Sequence, residues 1–251
     1  MPMLVTVNGE SIDTASALRL SLLHDNTFLK DTVRALVVRQ YAEKQNIRNT
    51  EQELQLAADE LRYARGLEAV DATHQWMRAN HQSLLSIQES IDQMLLHNKV
   101  RSSIPDAQVE AYFAEHQLDF EEVELYSIRV DSEQKARELM TQVTDESANF
   151  HAVAMAHSQD DDSKHLGGYV GKLRRLQMTG AVEAAVFKAK PGSVTGPFKT
   201  DKGWNLFKVA SIHKPTLGEA KSEIRVKLME QLVDKLVAEA SVTYPVFDAA
   251  V

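Results

Sequence analysis

Seven of the chain's ten glycines, Gly167, Gly168, Gly171, Gly180, Gly192, Gly196 and Gly203, fall in one short stretch, with Pro191 and Pro197 among them. Glycine enters left-handed backbone conformations freely and costs a helix about 1 kcal/mol relative to alanine. Such a stretch folds as short elements joined by tight turns, not as long helices. The chain on either side is sparsely punctuated and carries helical periodicity. The pattern therefore predicts an α+β fold in which a glycine-rich segment is inserted between helical ones.

Met3 to Val7 alternate weakly and end at Asn8-Gly9, a turn signal. From Ser11 to about Val100 the spacing is helical: Phe28, Leu29, Val33, Leu36, Val37 and Tyr41 recur on one face. Thr50 with Glu53 reads as a capping box for the next helix, which carries Leu54, Ala57, Ala58 and Leu61. Leu84, Leu85, Ile87, Ile91, Met94 and Leu95 mark another helix, and Pro105 suits the first turn of a short one. The tail carries a stripe of Ile224, Leu228, Leu232, Val233 and Leu236. A lone terminal helix cannot bury such a stripe, so the tail is expected to fold back onto the helical front.

Near Phe120 the period changes from helical to alternating. The run EEVELYSIRV predicts a strand from about Val123 to Val130. Asp131 or Ser132 then caps a helix with Ala136, Leu139, Met140 and Val143 on its apolar face, and Phe150, Val153 and Ala154 belong to a second short helix. A helix is expected around Ala181 to Phe187. TGPFKTDKGWNLFKVASI reads as strand, Asp-Lys-Gly turn, strand.

Composition narrows the function. A net charge of −8 argues against a nucleic-acid backbone as partner. The absence of cysteine excludes disulfides, thiolate metal sites and cysteine nucleophiles. The start, MPMLVTVNGESIDTA, has no basic region followed by an apolar run of signal-peptide length, and no segment reaches the ~18 apolar residues of a membrane helix. The expectation is a cytoplasmic protein that does not insert into membranes.

The segment AHSQDDDSKHLGGYVG, with three adjacent aspartates, invites a metal or phosphate reading. Counted from Asp160, a calcium loop would need ligands where Lys164 stands and a closing glutamate where Gly171 stands. The glycines are not followed by the Lys-Ser/Thr pair of a phosphate loop. His157 and His165 lack one-turn spacing, and there is no HExxH or GxSxG. No metal or cofactor is expected, and a turn built from short polar side chains is the plain alternative.

Taken in order, the residues from about Glu121 to His213 resemble a parvulin-type peptidyl-prolyl isomerase domain. ELYSIRV resembles the family's first strand, FHAVAMAHSQD its F-x-x-L-A-x-x-x-S-x-D/C stretch, and GGYVG its GGDLG. LRRLQMTGAVEAAVFKAKPGSVTGPFKTDKGWNLFKV follows the family's remaining helix, turn and strand pattern. VNGESID and IPDAQVEAYFAEHQ are similar to bacterial foldases of the SurA and PrsA type, in which a returning C-terminal helix completes a helical chaperone module. The resemblance implies a parvulin-like domain at residues 119–213, a small antiparallel sheet with surrounding helices, and a chaperone-like module from residues 1–118 plus 214–251.

The resemblance also implies a site. Asp160 falls on the family's Cys or Asp, and Thr200 on its threonine before the last turn. Ser127 and Asn205 stand where the family has paired histidines, and as neighbours on adjacent strands they could bond each other. For substrate binding, Met178 falls on the pocket methionine, Val170 on the pocket leucine, Val182 where a phenylalanine is usual, and Phe187 on the last phenylalanine of its motif. Asp161, Asp162, Ser163 and Lys164 are expected to be solvated loop. Arg174 and Arg175 lie near the implied groove mouth, where a solvated pair is expected and a preference for acidic clients is the alternative.

A prolyl amide resists rotation by ~20 kcal/mol, and a catalyst can lower that barrier by binding the twisted amide better than either planar form. An apolar seat for the ring and a few placed polar groups suffice. The expected function is isomerisation of Xaa-Pro bonds in proline-containing unfolded or precursor polypeptides. The alternative is a catalytically weak parvulin-fold chaperone or adaptor, and self-association is left open.

Overall fold

The computed structural model describes residues 3–7, 10–22, 25–178 and 180–245. The chain divides into two compact units, Met1–Val109 with Glu223–Val251, and Glu110–Ser222.

The first unit opens with strands β1 (Met3–Val7) and β2 (Glu10–Asp13), paired antiparallel. The Asn8-Gly9 turn lies outside the described residues. Ser11 to Asp13, expected to be helical, are strand because they have a partner in β1. Helix begins at α1 (Thr14–Leu22), where Asp13 accepts the Ala15 and Ser16 amides at 2.9 and 3.1 Å. Helices α2 (Thr27–Lys44), α3 (Glu51–Ala64), α4 (Val70–Ala79) and α5 (Leu84–Ser102) follow; α6 (Asp106–His116) begins in this unit and continues into the second, and α11 (Leu217–Glu239) begins in the second and continues into this one. The tail stripe has found its partner. Arg34 of α2 pairs with Asp234 of α11 at 2.5 Å, and Ile224, Met229 and Val233 are buried.

The capping box is present. The Glu53 carboxylate accepts from the Thr50 amide at 2.7 Å while the Thr50 hydroxyl accepts from the Glu53 amide. Glu53 also receives Lys99 of α5 at 2.6 Å, so one side chain both starts α3 and ties it to α5.

The second unit is built on a four-stranded antiparallel sheet of order β4-β3-β6-β5. Its strands are β3 (Glu122–Val130), β4 (Tyr169–Arg174), β5 (Val194–Thr200) and β6 (Gly203–His213). Between β3 and β4 run α7 (Glu133–Thr144), capped by Ser132, α8 (Phe150–His157) and the single turn α9 (Asp161–Lys164), while α10 (Gly180–Lys188) precedes β5. Strand alternation sends successive β3 side chains to opposite faces. Ile128 and Val130 pack with Ala136 and Leu139 of α7 and Phe150, Val153 and Ala154 of α8. Val123 and Leu125 pack on the other face with Val186 of α10 and Val209.

Gly168 makes the return into β4 feasible. Its φ is +86°, and a Cβ there would lie 2.5 Å from the Ser127 carbonyl oxygen. The Gly168 carbonyl in turn accepts the Ser127 amide at 2.7 Å.

Two outcomes are expected. Gly168→Ala should lower unfolding stability by about 2–4 kcal/mol, read by urea melts on Trp204 fluorescence in a Trp76→Phe background, because a left-handed backbone and a clash with main chain coincide. Gly171→Ala, where open space surrounds the added carbon, should cost less. The Lys99 ammonium, followed by the Thr50 amide and hydroxyl, holds the Glu53 carboxyl down to about 2, against an ordinary value of 4.5. A depressed folded value means that this stabilisation is present above about pH 4.5 and is lost as pH falls towards 2. Glu53→Gln should therefore flatten the acid limb of melting temperature against pH, and an unchanged limb would refute the assignment.

Candidate functional site

The implied site lies on the β3 face that carries Val123, Leu125, Ser127 and Arg129. Its floor is apolar. Met178, Val182 and Phe187 are each partly buried against Val123, Leu125, Val186 and Val209, together with Phe207. The structure thus gathers three of the four expected binding side chains on one surface. Val170, the fourth, is 39% exposed on β4 and is the extra residue of a bulge between Tyr169, opposite Tyr126, and Gly171, opposite Leu125, so it is not among the side chains packed on this floor. Valine at position 182 leaves less apolar wall than a phenylalanine would. Phe207 and Phe198 add to it, with ring centroids 6.2 Å apart.

The polar residues form two groups. Asn205 donates from Nδ2 to the Thr200 hydroxyl at 2.8 Å, and that hydroxyl donates to the Gly203 carbonyl at 3.1 Å, closing the β5–β6 turn. Asp160 forms the other group. Its Oδ1 lies 2.8 Å from Arg129 Nη2 and its Oδ2 accepts from the Ser163 hydroxyl at 2.6 Å. Ser158, 1% exposed, accepts both the Arg129 and the Asp160 amides at 3.2 Å, which places Asp160 at the end of α8.

The expected bond between Ser127 and Asn205 is not made. In the β3–β6 ladder Ser127 faces Phe207, while Asn205 faces Arg129. The two are therefore diagonal neighbours, roughly 7–8 Å apart at the backbone, and side chains this short do not span the gap. Asn205 turns to Thr200 instead. Both residues are buried, at 4% and 7% exposure.

Two further expectations change. Ser163 is not solvated loop: it is 4% exposed and holds Asp160, whereas Asp161 and Asp162 do face solvent. Arg175 is not a solvated cation. It pairs with the buried Glu121 at 2.5 Å and with Glu183, and its guanidinium lies 4.7 Å from the Phe187 ring centroid. Its carbonyl accepts the Met178 amide at 3.1 Å, so the network bears on two floor residues. Arg174 pairs with Glu122 at 3.3 Å. Arg129 went unnoticed in the sequence, although it lies two residues after Ser127 on a predicted strand and therefore on the same face.

The arrangement has an apolar seat, a fixed carboxylate at one side and an Asn–Thr pair at the other. It offers no nucleophile activated by a base. It suits a reaction that needs a bound conformation stabilised and no bond broken.

Comparison with known proteins bears on the family and the fold. The rotamase family, described as the PPIC-type PPIase domain, matches residues 125–211. The foldase protein PrsA of Caldanaerobacter subterraneus subsp. tengcongensis is 27% identical over 149 residues, covering 59% of this chain and 48% of that protein. PrsA of Geobacillus kaustophilus is 36% identical over 125 residues, covering 46% and 44%. A parvulin-like PPIase of Rickettsia conorii is 28% identical over 156 residues, covering 59% and 55%. The chain spans about half the length of the curated relatives it matches. The crystal structure of PrsA from Bacillus cereus superposes with a TM-score of 0.50 at 19% identity, covering 98% of this chain and 95% of that one, which is a likeness of fold. Residues 125–211 thus match the PPIC-type PPIase domain family, and the fold of the chain is like that of PrsA from Bacillus cereus.

Proposed function

We propose that the protein is a peptidyl-prolyl cis-trans isomerase acting on Xaa-Pro bonds of extended or unfolded polypeptides. The observation that carries this reading is the apolar floor of Met178, Val182, Phe187 and Phe207, placed on the sheet face whose other side chains are Ser127 and Arg129, the residue that holds Asp160. The proline ring sits on the floor. Asp160 and the Thr200–Asn205 pair flank the amide.

Rotation about the C–N bond passes through a state in which conjugation is lost and the nitrogen becomes more basic. An apolar seat favours that less polar state, and fixed dipoles around it need not reorganise. Protons need not move, so the buried Ser127 and Asn205 serve without the titration that histidine would bring. Their contribution is to keep the face intact and to hold Thr200.

The test is NMR exchange or a protease-coupled assay on Xaa-Pro peptides with the full chain. Met178→Ala should lower kcat/KM by roughly 30-fold, chiefly through KM, since about 2 kcal/mol of ring contact is lost. Asp160→Ala should lower kcat by about 10-fold or more with a smaller change in KM. Wild-type protein that gives no rate above background, yet suppresses aggregation of an unfolded client, would replace this reading with a binding module.

A further inference from the structure

We infer that Arg129 is the positioning residue of this site, holding the Asp160 carboxylate in place and cancelling its charge towards the substrate; the inference rests on the isomerase reading above. On the β3 face of Val123, Leu125, Ser127 and Arg129 it is the only charged side chain. It engages the segment ending α8 with main chain and side chain alike. Its amide donates to Ser158 Oγ at 3.2 Å, its carbonyl accepts the Gln159 amide at 2.8 Å, and Nη2 reaches both the Gln159 carbonyl at 3.1 Å and Asp160 Oδ1 at 2.8 Å. With Ser163 on Oδ2, both oxygens of Asp160 are held.

The same residue lies beside the other half of the site. Arg129 stands opposite Asn205 in the ladder, and its Cγ lies 3.6 Å from the point a Cβ on Gly203 would occupy, beside the turn that Thr200 closes. Arg129 therefore binds Asp160 from the strand position opposite Asn205. The pair is neither buried nor free in water: the two side chains are 20% and 18% exposed. A bidentate-capable guanidinium in that setting orients a carboxylate more strictly than solvent would.

Charge cancellation has a consequence for substrate choice. With the pair intact, the site presents little net charge to the residue preceding proline. Without Arg129, Asp160 adds one uncompensated negative charge. Without the Asp160 charge, Arg129 adds one positive charge.

The experiment compares kcat/KM for Lys-Pro, Ala-Pro and Glu-Pro peptides in full-length protein. Arg129→Met should lower kcat on Ala-Pro about 10-fold and raise the Lys-Pro to Glu-Pro ratio by about 10-fold, the order expected of one charge roughly 10 Å away near a protein surface. Asp160→Asn should move that ratio the opposite way, which keeps the inference testable if Arg129→Met does not fold. Arg129→Lys should restore the wild-type ratio, and the double variant should be no slower than the slower single one, as coupled residues require. A uniform loss across the three peptides, with the ratio unmoved in both single variants, would show a merely structural role and overturn the inference while leaving the isomerase reading intact. A wild type without turnover would overturn both.

Discussion

The pairing of β3 with β6 is the constraint on which the second unit depends. β3 lies between β4 and β6, so its two edges are both satisfied and its two faces both carry packed side chains. One face makes the core with α7 and α8, and the other makes the floor with α10. Because the side-chain period of a strand is two, a slip of one residue would exchange these faces, and the apolar burial on both sides holds the register against it. That register sets Arg129 against Asn205 and Ser127 against Phe207, and so decides which polar groups can meet.

The site follows from this economy of placement. No side chain in it has to transfer a proton or form a covalent bond. The work is conformational: a ring is seated, an amide is flanked, and the charges nearby are paired. Ion pairs serve the site from two directions. Arg129 holds Asp160 at the rim, and Arg175, through Glu121 and Glu183, holds the floor around Phe187 and Met178. Glu121 is buried, so its partners are needed: an unpaired carboxylate there would be costly. Surface ion pairs elsewhere on the chain contribute little by comparison.

Local features were legible in the residues because local physics produces them. Thr50 and Glu53 make their reciprocal cap within one turn, Ser132 starts α7, and Ala136, Leu139, Phe150 and Ala154 lie in the core their spacing implied. Met178, Val182 and Phe187 converge because they lie on or just before one short helix facing one sheet. The failures are as instructive. Ser11 to Asp13 look helical by spacing and are strand because β1 is beside them. Ser163 looks like a solvated loop residue and is buried because Asp160 turns back to it. Ser127 and Asn205 look like partners and are offset by one diagonal step.

By itself, then, the sequence determined the kind and order of the elements: alternation made β3, caps and periodicity made the helices, and glycine at positions such as 168 made the sharp return that other residues follow only under strain. Only the tertiary structure decided the partners. Arg129 meets Asp160, Asn205 turns to Thr200, and Arg175 enters the Glu121–Glu183 network, each through contacts between residues distant in sequence or offset across strands. Periodicity constrains a side chain's direction along its own element, whereas its neighbour across the sheet depends on ladder register and helix docking, which are set by the packing of the whole core.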